Sequence, residues 1–292
     1  MKHGILILAH QYPDHLTDLI NAFDEDFDFY IHIDKKSKFS PSDIAALKKN
    51  PRVRFVPREL KILWGGINHL KAVLLLAKEA LKQNDLNYFH VISGQDYLIK
   101  PVNIIKKILE DNPADYMEHF EVLDSKWEAE WKESISLFQP YEILNARSFL
   151  GKKIMTALIL VQRMLGYTRT SPSIKLFGGS GWWSLSRQSL EYVINYTERN
   201  PSLLRRLRFT FRADEIYFQT ILMNSPLKDK VVNNNLRFVD WTKRNGSFPA
   251  NLNESDFQTL VDSDKIFARK FDFPVSEKLK HLLENFLKEP KN

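Results

Sequence analysis

The chain opens with a short continuous apolar run, residues 4–9 (GILILA), that ends at polar, turn-prone positions. A run of this length predicts a strand buried on both faces. Residues 27–33 (FDFYIHI) predict a second strand. Between them, Leu16, Leu19, Ile20 and Phe23 fall on one face of a helix over 15–23. A third short strand is predicted at 52–57, then a helix over 66–82 with Ile67, Leu70, Val73, Leu74, Ala77 and Leu81 in register. Residues 87–93 (NYFHVIS) give a fourth strand, followed by a turn over 94–101 and a helix over 102–111. Strands and helices alternating at these lengths imply βαβ units, an α/β fold and a mainly parallel central sheet flanked by helices. In such sheets ligands sit at the carboxyl ends of the strands.

The rhythm breaks between about 120 and 176. That stretch begins with Trp127, Glu128, Glu130, Trp131 and Glu133 and continues through an apolar helix over 151–166 carrying Lys152, Lys153 and Arg163. Regular patterning returns at 177–186 (FGGSGWWSLS), then a helix over 187–198 and a basic stretch with Arg205, Arg206, Arg208 and Arg212. A helix over 213–224, a strand over 231–241 and a helix over 276–288 complete the reading. No internal repeat and no linker rich in Gly, Ser or Pro divides the chain, so one domain over 1–292 is expected.

Composition narrows the function classes. With 43% hydrophobic residues, 10 Gly and 13 Pro, the 292-residue chain is neither disordered nor collagen-like. Lys+Arg number 42 against 36 Asp+Glu, a net +6, and the pI near 9.2 favours acidic partners. No Cys occurs, which excludes disulfides and thiolate zinc sites and leads us to expect a cytoplasmic protein. The N-terminal apolar run is too short for a signal-peptide core, and no stretch reaches the roughly 20 apolar residues that span a bilayer.

Several groups could carry chemistry, and each also has a plain structural reading. Asp24-Glu25-Asp26 and Asp26-Phe27-Asp28 read D-x-D, a pattern that binds hard cations, but their place before a strand suggests solvated acids. His3, His10, His15, His32, His69, His90 and His119 have no metal-ligand spacing and read as surface or satisfied core residues. Gly178-Gly179-Ser180-Gly181 is either a tight bend or a close backbone approach. In Arg212-Ala213-Asp214-Glu215 both acids could cap a helix, or Asp214 could cap while Glu215 projects into a cleft as a base. Residues 267–272 (FARKFD) hold either a solvated charge pair or a phosphate clamp. No nucleic-acid-binding signature supports a nucleic-acid partner.

Taken in order, residues 5–13 (ILILAHQYP), 30–36 (YIHIDKK), 64–66 (WGG), 90–99 (HVISGQDYLI), 179–187 (GSGWWSLSR), 213–222 (ADEIYFQTIL), 236–241 (LRFVDW) and 256–272 resemble the core-2/I-branching family of glycosyltransferases. That family includes β-1,6-N-acetylglucosaminyltransferases and peptide O-xylosyltransferases. The resemblance implies a GT-A type fold. About 1–119 would form the nucleotide-sugar-binding half, and about 120–292 the acceptor-binding and catalytic half. It implies inverting transfer from a UDP-sugar to a glycan or lipid-linked glycan acceptor, with the UDP-sugar as substrate, no cofactor and no divalent metal. Glu215 matches the catalytic base and Lys270 the diphosphate-binding lysine. His10, Asp34, Asp96, Arg244 and Arg269 fall on the nucleotide and diphosphate side, Arg244 being the first choice for a second diphosphate cation. Trp182 and Trp241 fall on the acceptor side. The missing cysteines fit a cytoplasmic bacterial member. The resemblance leaves GlcNAc as the first donor sugar and xylose as the second. A non-catalytic glycan- or nucleotide-binding protein on the same fold is the alternative. Residues 154–165, behind Lys152-Lys153, read as a core helix of the acceptor half or as a helix lying on an anionic membrane at its inner face, the core helix being the simpler reading.

Overall fold

A computed structural model of the chain describes residues 1–122 and 128–288; Trp127 and the side chain of Glu128 lie outside the described residues. Along the chain run β1 (Lys2–Ala9), α1 (Pro13–Asn21), β2 (Phe27–Ile33), α2 (Pro41–Lys49), β3 (Val53–Phe55), α3 (Asn68–Ala80), β4 (Leu86–Ser93), β5 (Asp96–Leu98), α4 (Val102–Asp111), β6 (Asp115–Met117) and β7 (Phe120–Glu121). There follow α5 (Glu128–Ser136), α6 (Phe149–Met164), β8 (Phe177–Gly178), β9 (Trp183–Ser186), α7 (Arg187–Arg199), α8 (Pro201–Arg206), α9 (Tyr217–Met223), β10 (Val231–Val232), β11 (Arg237–Val239), α10 (Phe257–Asp262), β12 (Phe267–Arg269) and α11 (Glu277–Lys288).

A seven-stranded sheet in the order β10-β6-β9-β4-β1-β2-β3 forms the centre. β9 runs antiparallel to both neighbours, and the other pairings are parallel. The pleat sorts the apolar runs between two cores. Ile5, Ile7, Phe27, Phe29, Ile31 and Ile92 face one side, where Leu16, Leu19, Ile105, Leu279 and Leu283 of α1, α4 and α11 cover them. Leu6, Leu8, Tyr30, Phe89 and Val91 face the other, under residues of α3, α7 and α9. Burial on both faces is why these strands read as continuous hydrophobic runs.

A smaller sheet, β11-β12-β5, closes over the carboxyl end of the large one. Arg237 ties the two together. Its buried guanidinium donates to Ser184 Oγ at 2.7 Å, Trp183 O at 2.8 Å and Val91 O at 2.9 Å. Strands from both sides of residue 120 share both sheets, since β9 and β10 extend the large one and β5 pairs with β12.

Five elements differ from the sequence reading. The turn expected over 94–101 contains a strand, β5. The strand expected over 231–241 is two, β10 and β11, in different sheets. Leu236 between them has φ 59°, a left-handed turn that no continuous strand contains. The patterned run 177–186 likewise splits into β8 and β9. The helix expected from 213 begins as a 3-10 turn over Ala213–Glu215, and α9 starts only at Tyr217. Finally, α6 is not a core helix: only Gly151, Met155 and Gln162 of it are buried.

Candidate active site

The loops leaving β1, β2 and β4 meet at the carboxyl end of the sheet. Asp34 N–H donates to Ala9 O at 2.8 Å, and Gly94 N–H donates to Leu8 O at 2.9 Å. A Cβ on Gly94 would stand 3.1 Å from that of Ala9, so the small residue permits the crossing. Asp272 fastens the same loops to the segment after β12. It accepts from Tyr12 Oη at 2.6 Å and Asn251 Nδ2 at 3.1 Å, with Gln95 Nε2 at 3.4 Å. Tyr12 is held at φ 60°, a left-handed conformation costing on the order of 1 kcal/mol or more, at this junction.

The Asp214-Glu215 pair sits in the 3-10 turn, and neither acid caps a helix through its side chain. Asp214 instead lies 3.0 Å from His69 Nδ1 on α3. Burial works to raise the Asp214 pKa, but the contact with His69 and the charge of Arg212 outweigh it and hold the carboxyl below its ordinary value. Glu215 moves the opposite way. Its enclosure and the neighbouring Asp214 charge raise it, against the pull of Arg212, to about 8. Its side chain still keeps a 31% exposed face. Two adjacent carboxyls pushed apart in pKa are the arrangement that acid–base chemistry uses. Arg212 contacts Glu215 at 3.7 Å and also has a left-handed φ, 59°.

The glycine run supports this turn. Gly179 N–H donates to Glu215 O at 2.9 Å. A Cβ on Gly179 would meet Glu118 O at 1.8 Å, and one on Gly181 would meet Asp214 Oδ2 at 3.0 Å. The close approach is thus between protein segments, and it fixes where the acids point.

Trp182 carries the site from the acids to a cationic cluster. Its ring is edge-on to His69, centroids 5.6 Å apart, and the Arg269 guanidinium lies 4.6 Å from its centroid. Arg269 stands opposite Asp96 in the β12–β5 ladder, with Nε 3.4 Å from the carboxylate. Asp96 is completely buried and also accepts from Ser93 Oγ at 2.6 Å. Burial raises its pKa against these partners. It therefore orients Arg269 and does not itself reach a ligand.

Lys270 follows in the chain. Its half-buried ammonium has no hydrogen-bond or ion-pair partner among the described residues. Burial lowers its pKa, as do Arg269 and Arg147, against the pull of Asp272. His10 lies within the field of Lys270, Lys36, Arg147 and Asp34, and enclosure lowers its pKa. Asp34 is buried and spends its Oδ1 on Lys36 N–H at 3.1 Å and Ile62 N–H at 3.2 Å, shaping the loop after β2.

Two expected residues stand apart. Arg244 is locked between Asp240 at 2.8 Å and Asp256 at 2.6 Å, so it pins the 240–256 segment in place of offering a free cation. Trp241 is 67% exposed and is joined to Phe248, centroids 5.8 Å apart, with no contact to the Glu215 cluster among the described residues. The Asp24 and Asp26 carboxylates are bridged by Lys106 at 2.8 and 2.6 Å. His69 and Arg147 were missed by the sequence reading. His69 shows no motif spacing because its partner lies far along the chain. Arg147, 5.4 Å from the Trp64 ring centroid, comes from the poorly patterned middle, where only its lack of nearby acids marks it.

Human xylosyltransferase 1 is 25% identical over 288 residues, covering 91% of this chain and 28% of that protein. Rat xylosyltransferase 2 is 26% identical over 293 residues, covering 92% of this chain and 32% of that protein. The chain thus spans about three-tenths of the length of these relatives. A crystal structure of S. aureus TarS 1-349 with UDP-GlcNAc aligns over 48% of this chain and 44% of that one, at 14% identity and a TM-score of 0.29, an overlap too partial to carry an argument. The family model described as Core-2/I-Branching enzyme matches residues 7–261, a span that contains the β1, β2 and β4 loops, His69, Trp182 and the Asp214-Glu215 turn. The chain belongs to the core-2/I-branching enzyme family.

Proposed function

We propose that this protein is an inverting, metal-independent glycosyltransferase that moves a sugar from a UDP-sugar to a hydroxyl of a glycan acceptor. The observation that carries this reading is the split Asp214/Glu215 pair, joined through Trp182 and Arg269 to the Lys270 ammonium, which has no ion-pair partner among the described residues.

Inversion requires one displacement. The acceptor oxygen bonds to the anomeric carbon as the bond from that carbon to the diphosphate oxygen breaks. The hydroxyl proton passes to the Glu215 carboxylate, and the electron pair of the broken bond leaves with UDP. Glu215 suits the task because a base with a pKa near the working pH balances availability against basicity. Negative charge growing on the diphosphate meets Lys270, with Arg269 and Arg147 nearby, in an enclosed site where fixed charge acts strongly. A cationic cluster of this kind can supply the electrostatic stabilisation a metal gives elsewhere. His10 borders the diphosphate, Asp34 shapes the nucleoside loop, and Trp182 offers an aromatic face to a sugar. The names of the relatives bring UDP-xylose level with UDP-GlcNAc as a donor.

UDP release across a panel of UDP-sugars, with and without EDTA, tests this. Release from one donor, unchanged by EDTA, is expected. Lys270→Ala should weaken UDP binding about tenfold or more by calorimetry, the scale of one lost charged hydrogen bond. Release abolished by EDTA would overturn metal independence, and unchanged UDP affinity would overturn the role of Lys270. UDP binding with no turnover of any donor would favour a binding protein.

A further inference from the structure

Helix α6 turns most of its apolar surface outward. Leu150, Ile154, Val161 and Leu165 form one exposed stripe, and Phe149, Leu160 and Met164 extend it; Phe149 is 77% and Met164 76% exposed. The protein holds the helix along the narrow line of Gly151, Met155 and Gln162, with Gln162 bonded to Phe138 N–H at 2.7 Å and Phe138 O at 2.9 Å. An exposed apolar face of this extent marks an interaction surface.

Charge decides what covers it. Residues 143–190 contain no Asp or Glu but include Arg147, Lys152, Lys153, Arg163, Arg169, Lys175 and Arg187. Lys152 and Lys153 are exposed and have no ion pair among the described residues, Lys153 lying 4.3 Å from the Phe149 ring centroid. Arg163 is neutralised by Glu133 of α5, which leaves Lys152 and Lys153 as the uncompensated charges beside the stripe. A protein partner or a second copy of this chain would bring acids and bases mixed, whereas α6 itself presents apolar side chains and cations and no acid. At 16 residues the helix is about 24 Å long, short of the roughly 30 Å of a bilayer core. No described helix is long and apolar enough to cross a membrane.

We propose that the outward face of α6 docks on an anionic lipid surface, with its apolar stripe in the acyl boundary and Lys152 and Lys153 on the headgroups. The helix begins two residues after Arg147, which stacks on Trp64 at the rim of the cleft. Docking would therefore bring the cleft mouth to the membrane. If the transferase reading above holds, the acceptor is then a glycan carried on a lipid.

Co-sedimentation of the full chain with phosphatidylcholine vesicles, with and without phosphatidylglycerol, tests the docking separately from the chemistry. Wild type should pellet with the anionic vesicles and release as salt rises. Val161→Glu/Met164→Glu should lower partitioning about tenfold or more, and Lys152→Glu/Lys153→Glu should remove the preference for anionic lipid. Circular dichroism melts of both variants should match wild type, because these side chains point outward. Absence of wild-type pelleting, or pelleting unaffected by Val161→Glu/Met164→Glu, would overturn the proposal. So would a wild-type dimer in sedimentation velocity that the same variant dissolves. None of these readings depends on sugar transfer.

Discussion

Asp214 and Glu215 are neighbours in sequence yet ionise differently, because His69 holds Asp214 down while enclosure, and then the Asp214 charge, raises Glu215. The proposed base role requires Glu215 ionised, and its pKa is raised to about 8, so kcat/KM should rise with pH and level off above that value. Asp214→Asn removes the like charge, so the rising limb should move to lower pH. Arg212→Ala removes a stabilising cation and should move it higher. A wild-type limb in the ordinary carboxylate range, or one that Asp214→Asn leaves in place, would count against the pairing. Stability should show the same strain. A carboxyl raised in the folded state loses stability as pH climbs from about 4.5 through about 8. Glu215→Gln should therefore melt higher than wild type at pH 8 and converge with it near pH 4. The D-E pair alone reads as helix caps, and only the family resemblance singles out Glu215. The sequence hid His69, whose significance exists only once α3 and the 3-10 turn are packed together.

At the scale of elements, the turn carrying the acids depends on the glycine run beneath it. Gly179→Ala places a Cβ against the Glu118 carbonyl, which is backbone and cannot swing away. It should cost roughly 1–3 kcal/mol or more in urea unfolding and also lower transfer, since Gly179 N–H holds Glu215 O. Unchanged stability would mean that the β8–β9 segment is looser than its contacts imply. The strands buried on both faces were legible because burial writes continuous apolar runs. The division at Leu236 was not, because a single left-handed residue interrupts a strand without altering its hydrophobic pattern. Helix α6 misled for a related reason: apolar content alone does not separate a helix facing the core from one facing outward.

Across the whole molecule, the central sheet encloses histidines that must stay neutral. Burial lowers His3, His15 and His32 to about 4, and holds His90 well below its ordinary value. Their folded pKa values lie below the unfolded value of about 6.5, so the stability they permit is complete above 6.5 and is lost as pH falls toward 4. The melting temperature should fall steeply over that interval, and a flat profile from pH 7 to 4 would contradict neutral burial. The sheet also explains why dispersed sequence blocks converge. The loops after β1, β2 and β4 lie at one edge, and Asp272 and Arg237 draw the smaller sheet down onto it. Arg147 joins them from the acid-free stretch 143–190, part of the middle that periodicity could not place.

The most direct measurement is Glu215→Gln, assayed for UDP binding by calorimetry and for UDP release on the same preparation. The base assignment predicts intact UDP binding with turnover reduced about 10²–10⁴-fold. Turnover within a few-fold of wild type would contradict it.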